Sequence, residues 1–242
     1  MNSIDTSNVK VVWIDLDDTL IDFKANSRSA LTRLWADHGF SRFWPSADEW
    51  IAAYEGHNIP LWVDYSVGLI DVATLRVERF RRPLADAGMP DSEISAIYSD
   101  LDREYLDNLA MEKRLLPGTL TLLQYLRAKG FIIGVLSNGF AEVQHRKINR
   151  AGLTPLIDLT VLSDDIGVTK PDTRLFRYAQ SLTPWPSDPS AHIMIGDNPA
   201  TDIGGALKAG WGAVWFNPRH LPDTPEGAAC VDSLMSIPAL FG

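Results

Sequence analysis

The stretch Val11-Val12-Trp13-Ile14-Asp15-Leu16-Asp17-Asp18-Thr19-Leu20 runs from apolar residues straight into three carboxylates, Asp15, Asp17 and Asp18. Like charges so close repel by several kcal/mol at low effective dielectric, so the cluster calls for a cation, a shared proton or full exposure to water. Hard carboxylate oxygens suit Mg2+, which keeps several waters and takes only one or two carboxylates directly. Asp15 and Asp17 are two positions apart, so an extended backbone directs both to one side. A solvated acidic turn is the plainer alternative for this segment alone. Further polar groups weigh against it: Ser137-Asn138-Gly139, Lys170-Pro171, and Gly196-Asp197 followed by Asp202. Each is ordinary by itself, since Ser-Asn-Gly and Gly-Asp-Asn-Pro are common turns and a lysine before a proline can simply lead into a helix.

Taken together they compose a metal and phosphate site. Asp15 can act as a nucleophile on phosphorus if Mg2+ and Lys170 offset its repulsion from an anionic phosphoryl group, giving an aspartyl phosphate. Asp17 is placed to protonate the leaving oxygen and then to deprotonate the water that hydrolyses the acyl phosphate, assistance worth about 10² to 10⁴ in rate. The Ser137 hydroxyl, with Asn138, Gly139 and nearby backbone amides, would bind phosphoryl oxygens, and Asp197 would complete the metal shell. Asp202 lies near a helix start, where it either positions the metal or pairs with the helix dipole or with Lys170.

The elements that must hold these groups follow from apolar periodicity. Val11–Ile14 reads as a strand buried on both faces, and further strands are expected at 131–136, 159–162, 192–195 and 213–216. Helices alternate with them: one opened by Pro117-Gly118 with Leu120, Leu123 and Leu126 on one face, one at 141–151, one with Pro171 in its first turn, and one from Pro199 to Gly210. This β-α-β alternation predicts an α/β fold, a Rossmann-like parallel sheet covered by helices on both faces. In such sheets ligands bind beyond the carboxyl ends of the strands, where every candidate residue of the core falls.

Residues 21–116 interrupt the alternation with helical periodicity and no convincing strand, so the catalytic core is expected at 1–20 plus 117–242 and an inserted all-helical domain between them. Helices are predicted at 26–38, 46–55, 71–87 and 91–110, each ending near a glycine or a polar break. The insertion is aromatic, with Trp35, Trp44, Trp50, Tyr54, Trp62, Tyr65, Phe80, Tyr98 and Tyr105 expected mostly in its core. Its arginines Arg76, Arg79, Arg81 and Arg82 read first as a solvated helix face. The tail, 233–241, reads as one packed helix interrupted by Pro238.

The 242 residues carry a formal net charge of -9, a field that repels a polyanion and argues against a nucleic-acid polymer as partner. The single cysteine, Cys230, excludes an internal disulfide and fits a reducing compartment. The polar opening Met1–Lys10 has no leader character and no apolar run approaches the ~20 residues that cross a bilayer, so a cytoplasmic protein without membrane contact is expected.

Asp15-Leu-Asp17-Asp18-Thr19, Ser137-Asn138-Gly139, Lys170-Pro171 and Gly196-Asp197-x4-Asp202 resemble, in order, the four motifs of the haloacid dehalogenase (HAD) superfamily. The resemblance implies a Rossmann-like core, Mg2+, an aspartyl nucleophile at Asp15, a main-chain metal contact from Asp17, and Thr19 among the phosphate-binding groups. It also implies that the insertion is a helical cap. Within the superfamily, Asn58-Ile-Pro-Leu-Trp62-Val-Asp64-Tyr65-x2-Gly68, Asn138-Gly139-Phe140 and Gly167-Val168-x-Lys170-Pro171 are similar to bacterial pyrimidine 5′-nucleotidases. That likeness implies a nucleoside monophosphate as the small phosphate ester, with Trp62 or Tyr65 as a flat partner for the base, unless both are ordinary cap packing. A phosphatase acting on phosphoglycolate or a small sugar phosphate is the alternative. A receiver-like phosphoacceptor module would also use an aspartate beside Mg2+, but it needs neither the insertion nor Asp17.

Overall fold

Every side chain of the first strand is buried, and its two faces enter different apolar layers. In β1 (Val11–Ile14), Val12 and Ile14 join Leu122, Leu123, Ile133, Val135, Ile195 and Val214, whereas Val11 and Trp13 join Leu136, Leu175, Phe176, Met194 and Trp215. Alternation with both faces covered is what a central parallel strand requires. The computed structural model describes residues 4–242. After β1 come α1 (Phe23–Asp37), α2 (Ala47–Ser66), α3 (Val72–Asp86), α4 (Asp91–Met111), α5 (Thr119–Ala128), β2 (Ile132–Ser137), α6 (Ala141–Arg150) and β3 (Leu159–Leu162). There follow α7 (Thr173–Ser181), β4 (His192–Gly196), α8 (Gly204–Lys208), β5 (Gly212–Phe216) and β6 (Ala229–Val231).

The strands form one six-stranded sheet, in the order β3-β2-β1-β4-β5-β6, with every pairing parallel. The chain therefore winds outward from β1 to β3, returns, and winds the other way from β4. The order reverses between β1 and β4, where Ile14 lies opposite Ile195. Leucines of α5 and Ile148 of α6 cover one face, and Leu175, Phe176 and Ala179 of α7 cover the other. Gly134 of β2 is needed for this packing, because a Cβ there would lie 2.3 Å from the Trp13 ring. The Trp13 indole donates to His192 Nδ1 at 3.1 Å, so the largest side chain of β1 is tied across to β4.

The chain divides into two compact units, Met1–Phe23 with Lys113–Gly242, and Lys24–Glu112. The first holds the sheet. Its two flanks beside the insertion meet in a short stem, with Ile21 bridged antiparallel to Leu115, Leu116 N donating to Leu20 O at 3.0 Å, and Asp22 N to Arg114 O at 3.1 Å. The second unit has no strand among the described residues and is built on an aromatic cluster of Phe40, Trp44, Trp50, Tyr54, Phe80 and Tyr105. Asp102 is buried there and accepts from Arg79 Nε at 3.0 Å and Arg76 Nε at 2.7 Å. Among the described residues no helix is long and apolar enough to cross a membrane.

Several local expectations need correction. α2 does not stop before Gly56 but runs to Ser66 through Gly56 and Pro60, since Trp50, Ile51, Tyr54 and Leu61 are buried on both sides of the interruption and packing overrides propensity. Leu120 is exposed and the buried face of α5 is Thr119, Leu122, Leu123 and Leu126. Arg79 is buried rather than solvated. Pro171 precedes its helix, joined to Lys170 by a cis peptide bond, and Asp172 caps α7 by accepting from Arg174 N at 2.8 Å. A sixth strand, β6, pairs with β5 before the tail, whose Leu234–Leu240 is a 3-10 helix.

Candidate active site

β1 and β4 deliver their carboxyl ends side by side, with Asp15 N donating to Ile195 O at 2.9 Å. Asp15 thus leaves β1 next to Gly196-Asp197 at the end of β4, at the point where the strand order reverses, and that is where ligands enter open α/β sheets. Lys170 is brought to the same point by the loop after β3. It is 2% exposed, and its Nζ donates to Asp15 Oδ1 at 2.5 Å and Leu136 O at 2.7 Å and lies 2.8 Å from Asp202 Oδ1. Asn138 secures this loop. Its Oδ1 accepts from Lys170 N at 2.7 Å and its Nδ2 donates to Lys170 O at 3.0 Å.

Asp202 reaches the cluster from a π-type turn, Pro199–Ile203, in which Ile203 N bonds back five residues to Asn198 O. Asn198 caps it, accepting from Ala200 N and Thr201 N at 3.0 Å each. Asp202, 1% exposed, sits close against Gly196 at the end of β4: its Oδ2 accepts from Asn198 N at 3.1 Å, and a Cβ on Gly196 would sit 2.2 Å from that oxygen. Asp197 is held through its carbonyl, which accepts from Trp215 Nε1 at 2.9 Å, while Arg219 stands 3.8 Å from its carboxylate.

Carboxylate oxygens of Asp15, Asp197 and Asp202 all lie within 4.8 Å of one another. Burial drives the Asp15 carboxyl well above the usual range, with Lys170 pulling it back and Asp202 and Asp197 adding to the rise. Burial also pushes Asp197 up to about 7, reinforced by Asp202 and Asp18. Lys170 is opposed by burial, but Asp15 and Asp202 outweigh that and raise its ammonium. One lysine among three acids leaves the cluster short of positive charge. An all-oxygen, anionic donor set of this kind fits a hard divalent cation and not a soft one.

The Asp17 carboxylate is held by α6. Oδ1 is ion-paired with Lys147 Nζ and Oδ2 accepts from Gln144 Nε2 at 2.9 Å. Ser137 at the end of β2 joins the same network, its Oγ accepting from Gln144 Nε2 at 2.7 Å and from Gly139 N at 3.2 Å. Asp18 turns the chain with φ 59° and Thr19 is fully buried, its hydroxyl without a hydrogen-bond partner. Trp62 and Tyr65 belong to the second unit, half-buried near the end of α2 and packed edge to face with ring centres 5.7 Å apart. Sequence reasoning missed Lys147 and Gln144. The signal was present: Val143, Gln144, Lys147 and Ile148 share one buried helical face, so two polar residues occupy positions an ordinary core helix would fill with apolar ones.

A family model described as haloacid dehalogenase-like hydrolase matches residues 9–210. Pyrimidine 5′-nucleotidase YjjG of Escherichia coli (strain K12) is 32% identical over 218 residues, which cover 90% of each chain. Phosphoserine phosphatase of Thermus thermophilus is also 32% identical, over 91% of this chain and 93% of that one. The crystal structure of the HAD-hydrolase YfnB from Bacillus subtilis, bound to magnesium, superposes with a TM-score of 0.84 at 25% identity over 96% of this chain and 98% of that one. The match across β1 to α8, on a sheet whose reversal point gathers Asp15, Lys170, Asp197 and Asp202, leaves one conclusion: the chain belongs to the haloacid dehalogenase-like hydrolases.

Proposed function

We propose that this enzyme is a phosphoric monoester hydrolase, a Mg2+-dependent 5′-nucleotidase that acts on pyrimidine nucleoside monophosphates through an aspartyl phosphate at Asp15. The observation that carries the proposal is Lys170 Nζ set between Asp15 and Asp202, with Asp197 completing a triad of carboxylates. Asp15, Asp197 and Asp202 would hold the cation, which when bound neutralises phosphoryl oxygens beside the carboxylates. Lys170 orients the Asp15 carboxylate, whose oxygen forms a bond to phosphorus as the ester oxygen departs with a proton from Asp17. Water then attacks the same phosphorus and gives its proton to Asp17. The bond from phosphorus to Asp15 breaks, inorganic phosphate leaves, and both carboxyls return to their starting forms. The Ser137 hydroxyl, the amide of Gly139 and the buried hydroxyl of Thr19 are proposed to steady the phosphoryl oxygens.

The nucleotide assignment rests on the Escherichia coli relative together with the motif likeness around Trp62, Tyr65 and Asn138-Gly139-Phe140. Residues 21–116 are proposed as a cap that selects the substrate, with Trp62 and Tyr65 as stacking partners for the base. The Thermus thermophilus relative, equally identical, supports a second reading in which the substrate is a small non-nucleotide phosphate ester. A screen with Mg2+ separates them by comparing phosphate release from thymidylate and deoxyuridylate with that from phosphoserine, phosphoglycolate and hexose phosphates. Pyrimidine nucleotides are expected to rank first and Asp15→Asn to abolish turnover while the fold persists. Nucleotides ranking no better than phosphoserine would refute the first reading, and an active Asp15→Asn variant would remove Asp15 as nucleophile.

A further inference from the structure

On α6, Lys147 and Gln144 close a ring of hydrogen bonds around the Asp17 carboxylate. Lys147 Nζ engages Oδ1, Gln144 Nε2 engages Oδ2 at 2.9 Å, and Lys147 Nζ also donates to Gln144 Oε1 at 2.7 Å. Both partners are buried, at 2% and 1% exposure, and the Lys147 ammonium lies 5.2 Å from the centre of the Phe23 ring. Gln144 does more than complete the ring, since the same Nε2 donates to Ser137 Oγ at 2.7 Å. Space has been left for it: a Cβ on Gly139 would lie 2.1 Å from that nitrogen. Desolvating an ammonium is costly and a buried ion pair seldom recovers more than it loses, so stability is a poor reason for a lysine here. A carboxylate that must meet a leaving oxygen and then a water has to be placed to within a fraction of an ångström, and a side chain with two free torsions needs such partners.

We infer that Lys147 and Gln144 are positioning residues for Asp17, and that Gln144 registers Asp17 against Ser137 so that proton transfer and phosphoryl binding are set by one amide. This rests on the acid-base role proposed for Asp17 and goes beyond it by assigning the residues that aim it. Neither is expected to touch the substrate.

The test uses leaving groups of different basicity. Formation of the aspartyl phosphate from thymidylate expels a strongly basic alkoxide and depends on the proton from Asp17, whereas p-nitrophenyl phosphate expels a weakly basic phenolate that needs little help. Because kcat/KM reports events up to the first irreversible step, Lys147→Met and Gln144→Leu should lower kcat/KM for thymidylate by about 10²-fold. The loss on p-nitrophenyl phosphate should stay below about tenfold. Lys147→Arg, which restores the charge and donors, should recover most of the loss. A merely structural role would lower both esters by the same factor, and that result, or no loss on either, overturns the inference. Asp17→Asn is run in parallel. If it shows no difference between the two esters, the acid-base reading itself fails, whereas a split in Asp17→Asn without one in the α6 variants refutes only the positioning role. Gln144→Leu carries the test if Lys147→Met does not fold, and the best alkyl ester of the substrate screen replaces thymidylate if thymidylate is not turned over.

Discussion

Gly196→Ala is expected to damage the enzyme out of proportion to the one methyl group it adds. The new Cβ would lie 2.2 Å from Asp202 Oδ2, 2.5 Å from its Cγ and 2.6 Å from its Cβ, where ordinary contact is about 3.5 to 4 Å. The carboxylate would have to retreat by roughly 1 Å or β4 would have to move. Neither is free, since Oδ1 lies 2.8 Å from Lys170 Nζ and Oδ2 accepts from Asn198 N at 3.1 Å. Losing one charge-assisted hydrogen bond costs about 1.5 to 3 kcal/mol, which in a chain of this length lowers the melting temperature by roughly 3 to 12 °C. Because Lys170 also holds Asp15, displacement should propagate to that proposed nucleophile, and a misplacement of about 1 Å costs about 10²-fold in turnover. Thermal melts and steady-state phosphate release, measured side by side with the parent, read both quantities. Gly204→Ala is the control. Its backbone is helical at φ -61° and ψ -36°, and its Cβ would meet only Pro199 O, at 3.5 Å. That change should stabilise by about 0.4 to 1 kcal/mol and leave turnover intact. A Gly196→Ala enzyme that melts and turns over like the parent would refute the account of how Asp202 is held.

Other expectations follow from the same physics. Asp197, pushed up to about 7 chiefly by burial, must lose its proton before it can ligate a cation, so Mg2+ affinity by calorimetry should strengthen from pH 6 to pH 8. Affinity flat over that range would take Asp197 out of the ligand set. His192 is fully buried, and burial lowers its imidazole below 6.5. The unfolded chain then binds the proton more readily than the fold, so stability is full above about 6.5 and is lost as pH falls through that value. Urea melts at pH 7.5 and 5.5 should differ more for the parent than for His192→Asn, which keeps an acceptor for the Trp13 indole, and equal differences would discount His192. Arg79→Met leaves Asp102 in the aromatic core beside Arg76 but without its buried guanidinium partner, and should destabilise by about 3 kcal/mol, the low end for a broken buried pair. A variant as stable as the parent would show that the pair contributes nothing net.

What could be read in the sequence was what the sheet imposes. An apolar run that ends abruptly in charge has few other places to put that charge, so Asp15, Ser137 and Asp197 were visible as strand tips before any pairing was known. Lys170 and Asp202, each ordinary by itself, became legible through their order along the chain with those tips, which resembles the motif order of the superfamily. The strand order was not, because local pattern says nothing of which strands lie side by side. β6 escaped because Ala229-Cys230-Val231 is three residues long, too short to display an alternation, and it is defined by its pairing with β5. α2 was cut short at Gly56 because glycine and Pro60 are local signals, while Leu61 is held in the helix by burial that no window of sequence displays. Lys147 and Gln144 look like surface residues of a polar helix until α6 is seen to turn that face toward Asp17.

The stem where Ile21 meets Leu115 carries a consequence for how such enzymes diversify. Because the two flanks already run side by side, closing the sheet-bearing unit does not depend on the length of the chain spliced between them, provided the spliced module brings its own ends together. One helical module can thus be exchanged for another at that neck without redrawing β1 or the loops behind it. With the insertion selecting the substrate as proposed, reaction type and choice of molecule become separate traits, one written in the strand tips and the other free to be rewritten.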